Sequence, residues 1–156
     1  MTRGVVLRTV VASDLPGLFE HQFDPEANQM AAFPARDRET FMAHWERLLA
    51  DPSNIVRAID CDGRLAGNIG IWGAPEERLV GYWIAREHWG KGIATAALTS
   101  LLADISDRPI FAHVAKHNVG SIRVLEKCGF KVIAEDSVAL DASQQTIHEF
   151  VMRLDG

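Results

Sequence analysis

The residues of this chain best suited to chemistry are Gly90-Lys91-Gly92. Two glycines around a lysine let the backbone turn sharply and leave its amides uncovered. The apolar and aromatic run Val80 to Ala85 before them has the composition of a buried strand. After them apolar residues fall at 93, 97, 98, 101, 102 and 105, which is one face of a helix. A glycine turn that opens a helix presents unpaired N–H groups at the positive end of the helix dipole, which suits a phosphate group. Two other phosphate-binding designs fail here. A Walker loop needs Ser or Thr after the lysine and Gly92 stands there, while a dinucleotide fingerprint needs a third glycine where the chain has Thr95.

A second stretch, Asn118-Val-Gly-Ser-Ile-Arg-Val-Leu-Glu-Lys-Cys-Gly-Phe130, reads as a capped helix. Asn118 can accept a first-turn N–H, Gly129 supplies the left-handed residue after the last turn, and Phe130 is the apolar residue that follows it. Metal chemistry finds no support. Cys61 and Cys128 have no ligand spacing, and His113 and His117 lack further ligands, so no metal is expected and both cysteines read as reduced packing residues.

Charge sharpens the phosphate reading. The net charge of −5 argues against a nucleic-acid binder. Lys and Arg number 8 against 12 Asp and Glu in residues 1–85, 7 against 4 in 86–131, and 1 against 5 in 132–156. The only net-basic segment therefore begins near the glycine turn, where a small phosphorylated ligand would be attracted. No apolar run approaches the roughly 20 residues that span a bilayer, and the N-terminus lacks a signal-peptide layout, so no membrane partner and a cytoplasmic location are expected.

The elements that must position these residues follow from periodicity. With 47% hydrophobic and 24% charged residues, 1–156 reads as a single globular domain. Gly4 to Val11 is a strand; Ser13 caps a short helix with Pro16 in its first turn and Leu15, Leu18, Phe19 and Phe23 as its stripe, and Asp24-Pro25 stops it. Residues 25–36 show no period and read as a link exposing Met30 and Phe33. Asp37 caps a helix whose buried face is Phe41, Trp45, Leu48 and Leu49. Strands Ile55–Asp60 and Leu65–Trp72 form a hairpin across Asp62-Gly63, and Leu79–Ala85 is the next strand. Helix 91–105 and strand 110–115 then complete a βαβ unit, so strands 79–85 and 110–115 run parallel. Lys131–Glu135 and Thr146–Leu154 close the chain as an antiparallel pair.

Taken together, Glu87-His-Trp-Gly90-Lys-Gly92 and Asn118–Phe130 resemble the GNAT superfamily of N-acetyltransferases, most closely its RimJ/RimL-like branch. That family has a (Gln/Arg)-x-x-Gly-x-(Gly/Ala) turn; Glu87 departs from it at the first position, with Arg86 beside it. The resemblance covers essentially the whole chain. It implies an α/β (α+β) domain with a mixed, mostly antiparallel central sheet, one splayed parallel strand pair and flanking helices. It implies acetyl-CoA as cosubstrate, with its pyrophosphate on Gly90, Lys91, Gly92, Ile93, Ala94 and Thr95. The pantetheine would pair with Tyr82, Trp83 and Ile84 and meet Asn118.

The chemistry implied is acyl transfer from a thioester to a primary amine, on a protein N-terminus or a small molecule. A backbone N–H near Trp83 or Ile84 would serve the carbonyl oxygen. Many family members use a tyrosine on the second helix as acid toward the thiolate; Leu125 occupies that place, the only tyrosine is Tyr82, and Ser121 is the candidate acid instead. The base stays open among Glu20, His21, Asp24 and Glu26 near the first helix and His113, with a water chain as the other route. Acidic residues within 20–39 lean toward a cationic acceptor. The alternatives are a non-catalytic CoA-binding sensor and a transferase of a larger acyl group, and the oligomer is a monomer or homodimer.

Overall fold

The computed structural model describes residues 4–32, 35–139 and 146–155. Its elements in chain order are β1 (Val5–Thr9), α1 (Leu15–Gln22), α2 (Pro25–Ala31), α3 (Arg38–Ala50), β2 (Ile55–Cys61), β3 (Arg64–Trp72) and β4 (Arg78–Ile84). They continue as α4 (Ile93–Asp104), β5 (Ile110–Ala115), α5 (Val119–Lys127), β6 (Lys131–Ala139) and β7 (Thr146–Leu154). The strands make one mixed sheet in the order β1-β2-β3-β4-β5-β7-β6. Neighbours pair antiparallel throughout except β4 and β5.

That parallel pair is brief. Arg78 pairs with Ile110 and Leu79 with Phe111, and there the pairing stops. β4 keeps its partner β3 as far as Ile84, so from Gly81 onward its other edge is open toward β5. The start of the pair is anchored by the buried Arg78 guanidinium, which donates to the carbonyls of Ser53 and Gly73 and to Asp107. A fork of this kind leaves main-chain groups available to an extended ligand.

Strand alternation assigns the two faces. Val80 and Ile84 of β4 join Ile69, Ile71, Ile110, Ala112, Val114 and Met152 in a core covered by α4 and α5. Val56 and Ala58 turn to the opposite face, against Leu18 of α1 and Phe41 and Trp45 of α3. Each large aliphatic side chain buried this way contributes roughly 1.5–3 kcal/mol.

Local signals explain most element ends. Asp62 and Gly63 both take positive φ, as a two-residue hairpin turn requires. Asp37 Oδ1 accepts the Thr40 N–H at 2.7 Å to start α3. At the end of α5 the Gly129 N–H donates to Glu126 and the Phe130 N–H to Leu125, which closes the helix as a Schellman turn.

Four expectations need correction. Ser13 does not cap α1; a short 3-10 turn, Ala12–Asp14, precedes it, and the Asp14 carboxylate accepts the Val11 N–H while Arg8 grips both its oxygens. Residues 25–31 form α2, with Asp24 as its cap and Pro25 at its first position, so the supposed stop is a helix start. Phe23 and Leu49, assigned to buried stripes, are exposed. Strand β6 runs on to Ala139, beyond the expected Glu135. Phe33 and residues 140–145 of the polar connection lie outside the described residues.

Candidate active site

The turn between β4 and α4 is shaped by two left-handed residues, Gly90 (φ 75°) and Gly92 (φ 76°). A side chain at either would be strained. Gly92 is the N-cap of α4 and brings no side chain to cap it, so the first-turn amides of Ile93, Ala94 and Thr95 are presented without a built-in acceptor. No acidic residue stands in that first turn. The indole N–H of Trp89 donates to the Ile84 carbonyl at 2.9 Å and ties the turn to the end of β4.

A cavity of about 540 Å³ begins at this turn and follows the open edge of β4. Of the residues proposed from the sequence, Tyr82, Trp83, Ile84, Gly90, Gly92, Ile93, Ala94, Thr95, Asn118 and Ser121 all line it. Lys91 does not; it lines a neighbouring depression with Cys61, Asp62, Arg64 and His88. The far wall comes from Ala27, Met30 and Ala31 of α2, on the other side of the sheet from α5. The cavity therefore passes through the fork. The imidazole Nε2–H of His117 donates to the Gln29 carbonyl at 2.9 Å and fastens α2 over it.

Two hydroxyls meet inside. Tyr82 points from β4 toward α5, and its oxygen lies 2.6 Å from Ser121 Oγ. Ser121 is held in the first turn of α5, where its N–H donates to the Asn118 side chain at 3.3 Å. Burial pushes the Tyr82 phenol up to about 12, only partly offset by the Ser121 hydrogen bond. It therefore stays protonated near neutrality and is available to donate. Leu125, in the position where a family tyrosine would stand, is buried in the core at 1% exposure. The sequence places Tyr82 by its backbone alone, and the sole signal for its side chain is that it is the one tyrosine of the chain.

The other candidates are differently employed. Arg86 pairs with Asp24 at 2.8 Å and Glu26 at 3.0 Å, which commits its guanidinium to the start of α2 rather than to a phosphate. Asp24 also caps α2 and Asp37 caps α3, so much of the acidity within 20–39 serves the fold. His21 is largely buried; its carbonyl accepts the Trp83 indole N–H, its Nδ1 is sealed without a partner, and burial lowers its pKa. Glu20, His21 and Asp24 line a shallow depression with Ala85, Arg86 and Glu87, outside the main cavity. Among the described residues no three His, Cys, Asp or Glu converge as metal ligands.

The model of the acetyltransferase (GNAT) domain family matches residues 5–131. Among curated proteins, YdaF of Bacillus subtilis (strain 168), named as a ribosomal N-acetyltransferase, is 34% identical over 100 residues, 60% of this chain and 55% of its own. The chain spans about half the length of the curated relatives it matches. Among solved structures, a GNAT-family acetyltransferase from Bacillus anthracis superposes with a TM-score of 0.83 at 15% identity, covering 99% of this chain and 96% of that one. Spermidine N-acetyltransferase from Vibrio cholerae, in complex with CoA and spermine, superposes with a TM-score of 0.81 at 17% identity, covering 97% and 95%.

Proposed function

The chain belongs to the acetyltransferase (GNAT) domain family, and on that premise we propose that it transfers an acetyl group from acetyl-CoA to a primary amine. The observation that carries the proposal is the cavity through the fork, with uncapped α4 amides at one end, an open β4 edge along its length and a hydroxyl pair at its wall. These features fit CoA. The amides of residues 92–95 suit its pyrophosphate, and the β4 edge at Tyr82–Ile84 suits its amide-bearing pantetheine as an added strand.

In the reaction the neutral amine nitrogen attacks the thioester carbonyl, a C–N bond forms and the C–S bond breaks. A backbone N–H near Trp83 or Ile84 would hold the carbonyl oxygen as it gains charge. The Tyr82–Ser121 pair would donate a hydrogen bond to the departing sulfur. A buried phenol near 12 gives up its proton reluctantly to a thiolate whose ordinary pKa is about 8.5, so the pair acts as a fixed hydrogen-bond donor to the departing sulfur, and the thiolate takes its proton from solvent. In this reading the pair takes the place of a tyrosine on α5, which supports turnover over a non-catalytic CoA-binding sensor.

The acceptor follows less directly. YdaF is named for ribosomal N-acetylation and the Vibrio enzyme for spermidine, so both a protein N-terminus and a polyamine belong in the test. Calorimetric titration with acetyl-CoA, followed by thiol release over a panel of peptide N-termini, polyamines and aminoglycosides, tests the proposal. Micromolar binding with turnover on one class is expected. Absence of binding to both acetyl-CoA and CoA would refute it, and binding without turnover on any acceptor would favour a sensor.

A further inference from the structure

The far wall of the cavity bears on which amine the proposed transfer uses, and we infer that the acceptor carries its amino group on an apolar body with no second cation close by. The inference rests on the acetyl-transfer reading and names the substrate class of that same site. CoA, with its pyrophosphate at the α4 turn and its pantetheine along β4, would fill the cavity from the α4–α5 side. The acceptor must then come from the α2 side, where the cavity ends on Ala27, Met30 and Ala31. These three are spaced i, i+3 and i+4, so one stripe of α2 faces the fork. Trp83 extends the same wall. Val80 and Ile84 face the α4–α5 core, so alternation turns Trp83 the other way, and its indole N–H donates to the His21 carbonyl of α1 at 3.0 Å. That bond holds an aromatic surface beside the stretch proposed to align the thioester. The Gln29 carbonyl, bound by His117, keeps α2 in place over it.

Nothing charged on this side would hold a second ammonium. Among the described residues no Asp or Glu lines the cavity, and its Arg123 and Lys127 stand on α5, across the sheet from α2. The carboxylates nearest α2 in the fold are already engaged. Asp24 and Glu26 hold Arg86, and Glu149 holds His113. Glu20 and Glu87 line the separate depression beside Arg86. A polyamine or aminoglycoside seated here would bring an ammonium out of water with no partner. An alkyl or aryl body would instead bury against Met30, Ala31 and Trp83. Met30 suits that task, because its unbranched thioether side chain is 39% exposed and can fold over bodies of different shape.

The test measures thiol release at saturating acetyl-CoA in the native chain and in Met30→Glu. The acceptors are hexylamine and cadaverine, isosteres in which an ammonium replaces the terminal methyl, and two peptides, one starting Ala-Leu and one starting Ala-Lys. The amine pair and the peptide pair separate a free small amine from a protein N-terminus as the source of the apolar body. In the pair that is turned over, the uncharged member should lead by about 10-fold or more in kcat/KM, the scale on which one apolar group is discriminated in such a pocket. Met30→Glu sets a carboxylate on the wall and should narrow or reverse that lead, with CoA titration reporting the donor site intact. Equal or better turnover of the charged member by the native chain overturns the inference and leaves acetyl transfer standing. A lead untouched by Met30→Glu overturns the placement of the acceptor against α2. Faster transfer from hexanoyl-CoA than from acetyl-CoA would give the apolar wall to the donor's acyl chain and overturn the inference as well. Absence of turnover on every acceptor, with CoA still bound, overturns the acetyl-transfer reading itself.

Discussion

Gly67 is the position where a single methyl group should damage the site most cleanly. It lies on β3 opposite Ile84, and a Cβ there would fall 2.1 Å from the Trp83 carbonyl oxygen and 3.1 Å from Ile84 Cα. Both obstacles are backbone, so no rotamer change relieves them. Bringing the contact to a tolerable separation needs about 1 Å of movement between β3 and β4, at a cost of about 1–3 kcal/mol for an overpacked site. In a domain of this length that is a fall in Tm of roughly 2–12 °C. The displaced stretch, Trp83 to Ile84, is the edge proposed to align the thioester, and a 1 Å misplacement can cost about 10²-fold in rate. The assay is a thermal melt of Gly67→Ala beside its kcat/KM and CoA affinity. Gly81→Ala is the internal comparison, since the atom it meets belongs to the Trp72 ring, a partly exposed side chain that can swing aside. Gly67→Ala melting and turning over like the native chain would refute the close-approach argument.

Other perturbations separate the remaining parts. Gly92→Val forces a β-branched residue into φ 76° at the head of α4 and should abolish CoA binding by titration while leaving the far-UV spectrum largely unchanged; normal binding would mean the turn is not the phosphate site. Ser121→Ala and Tyr82→Phe should each lower kcat with little change in CoA affinity, and the double variant should lose less than the sum of their effects on activation free energy because the two hydroxyls act as one unit; strict additivity would separate them. Arg86→Ala releases α2 from an exposed, screened ion pair, so it should raise the acceptor KM while leaving the melting temperature nearly unchanged, and an altered CoA affinity instead would relocate the effect. Arg8→Met strands the buried Asp14 carboxylate and should cost about 3 kcal/mol by urea unfolding. In the native chain Arg8 holds Asp14 below the usual carboxylate range, so this stability is complete above that range and fades as pH falls through the lowered value; a midpoint that does not drop on acidification would contradict the pairing.

What was legible in the sequence was local: strands with a period of 2, helices with a period of 3.6, and the glycines and caps that end them. The strand pattern, the parallel β4–β5 pairing and the α4 turn follow from such signals, while the splay of that pair comes only from the family resemblance. Helix α2 was lost because seven residues with a single buried side chain, Ala27, leave no stripe to detect. Its real signal was Asp24-Pro25, a cap and a first-turn proline whose residue types also occur at stops. Phe23 and Leu49 failed for the converse reason, since helical spacing predicts a face but not how far the neighbouring element extends over it. The chemistry of the candidate site belongs to a third category. Tyr82 meets Ser121 across 39 residues of sequence, His113 meets Glu149 across 36, and His117 meets Gln29 across 88. Each contact is set by which strands lie side by side or which helix packs against them, and no local pattern encodes that. Main-chain features proposed to hold the donor depend on glycines and register rather than on side-chain identity, so they are readable as motif. The groups proposed to finish the reaction, Tyr82 and Ser121, hang on a pair that joins β4 to α5, and its two members stand too far apart in the sequence for any motif to carry both.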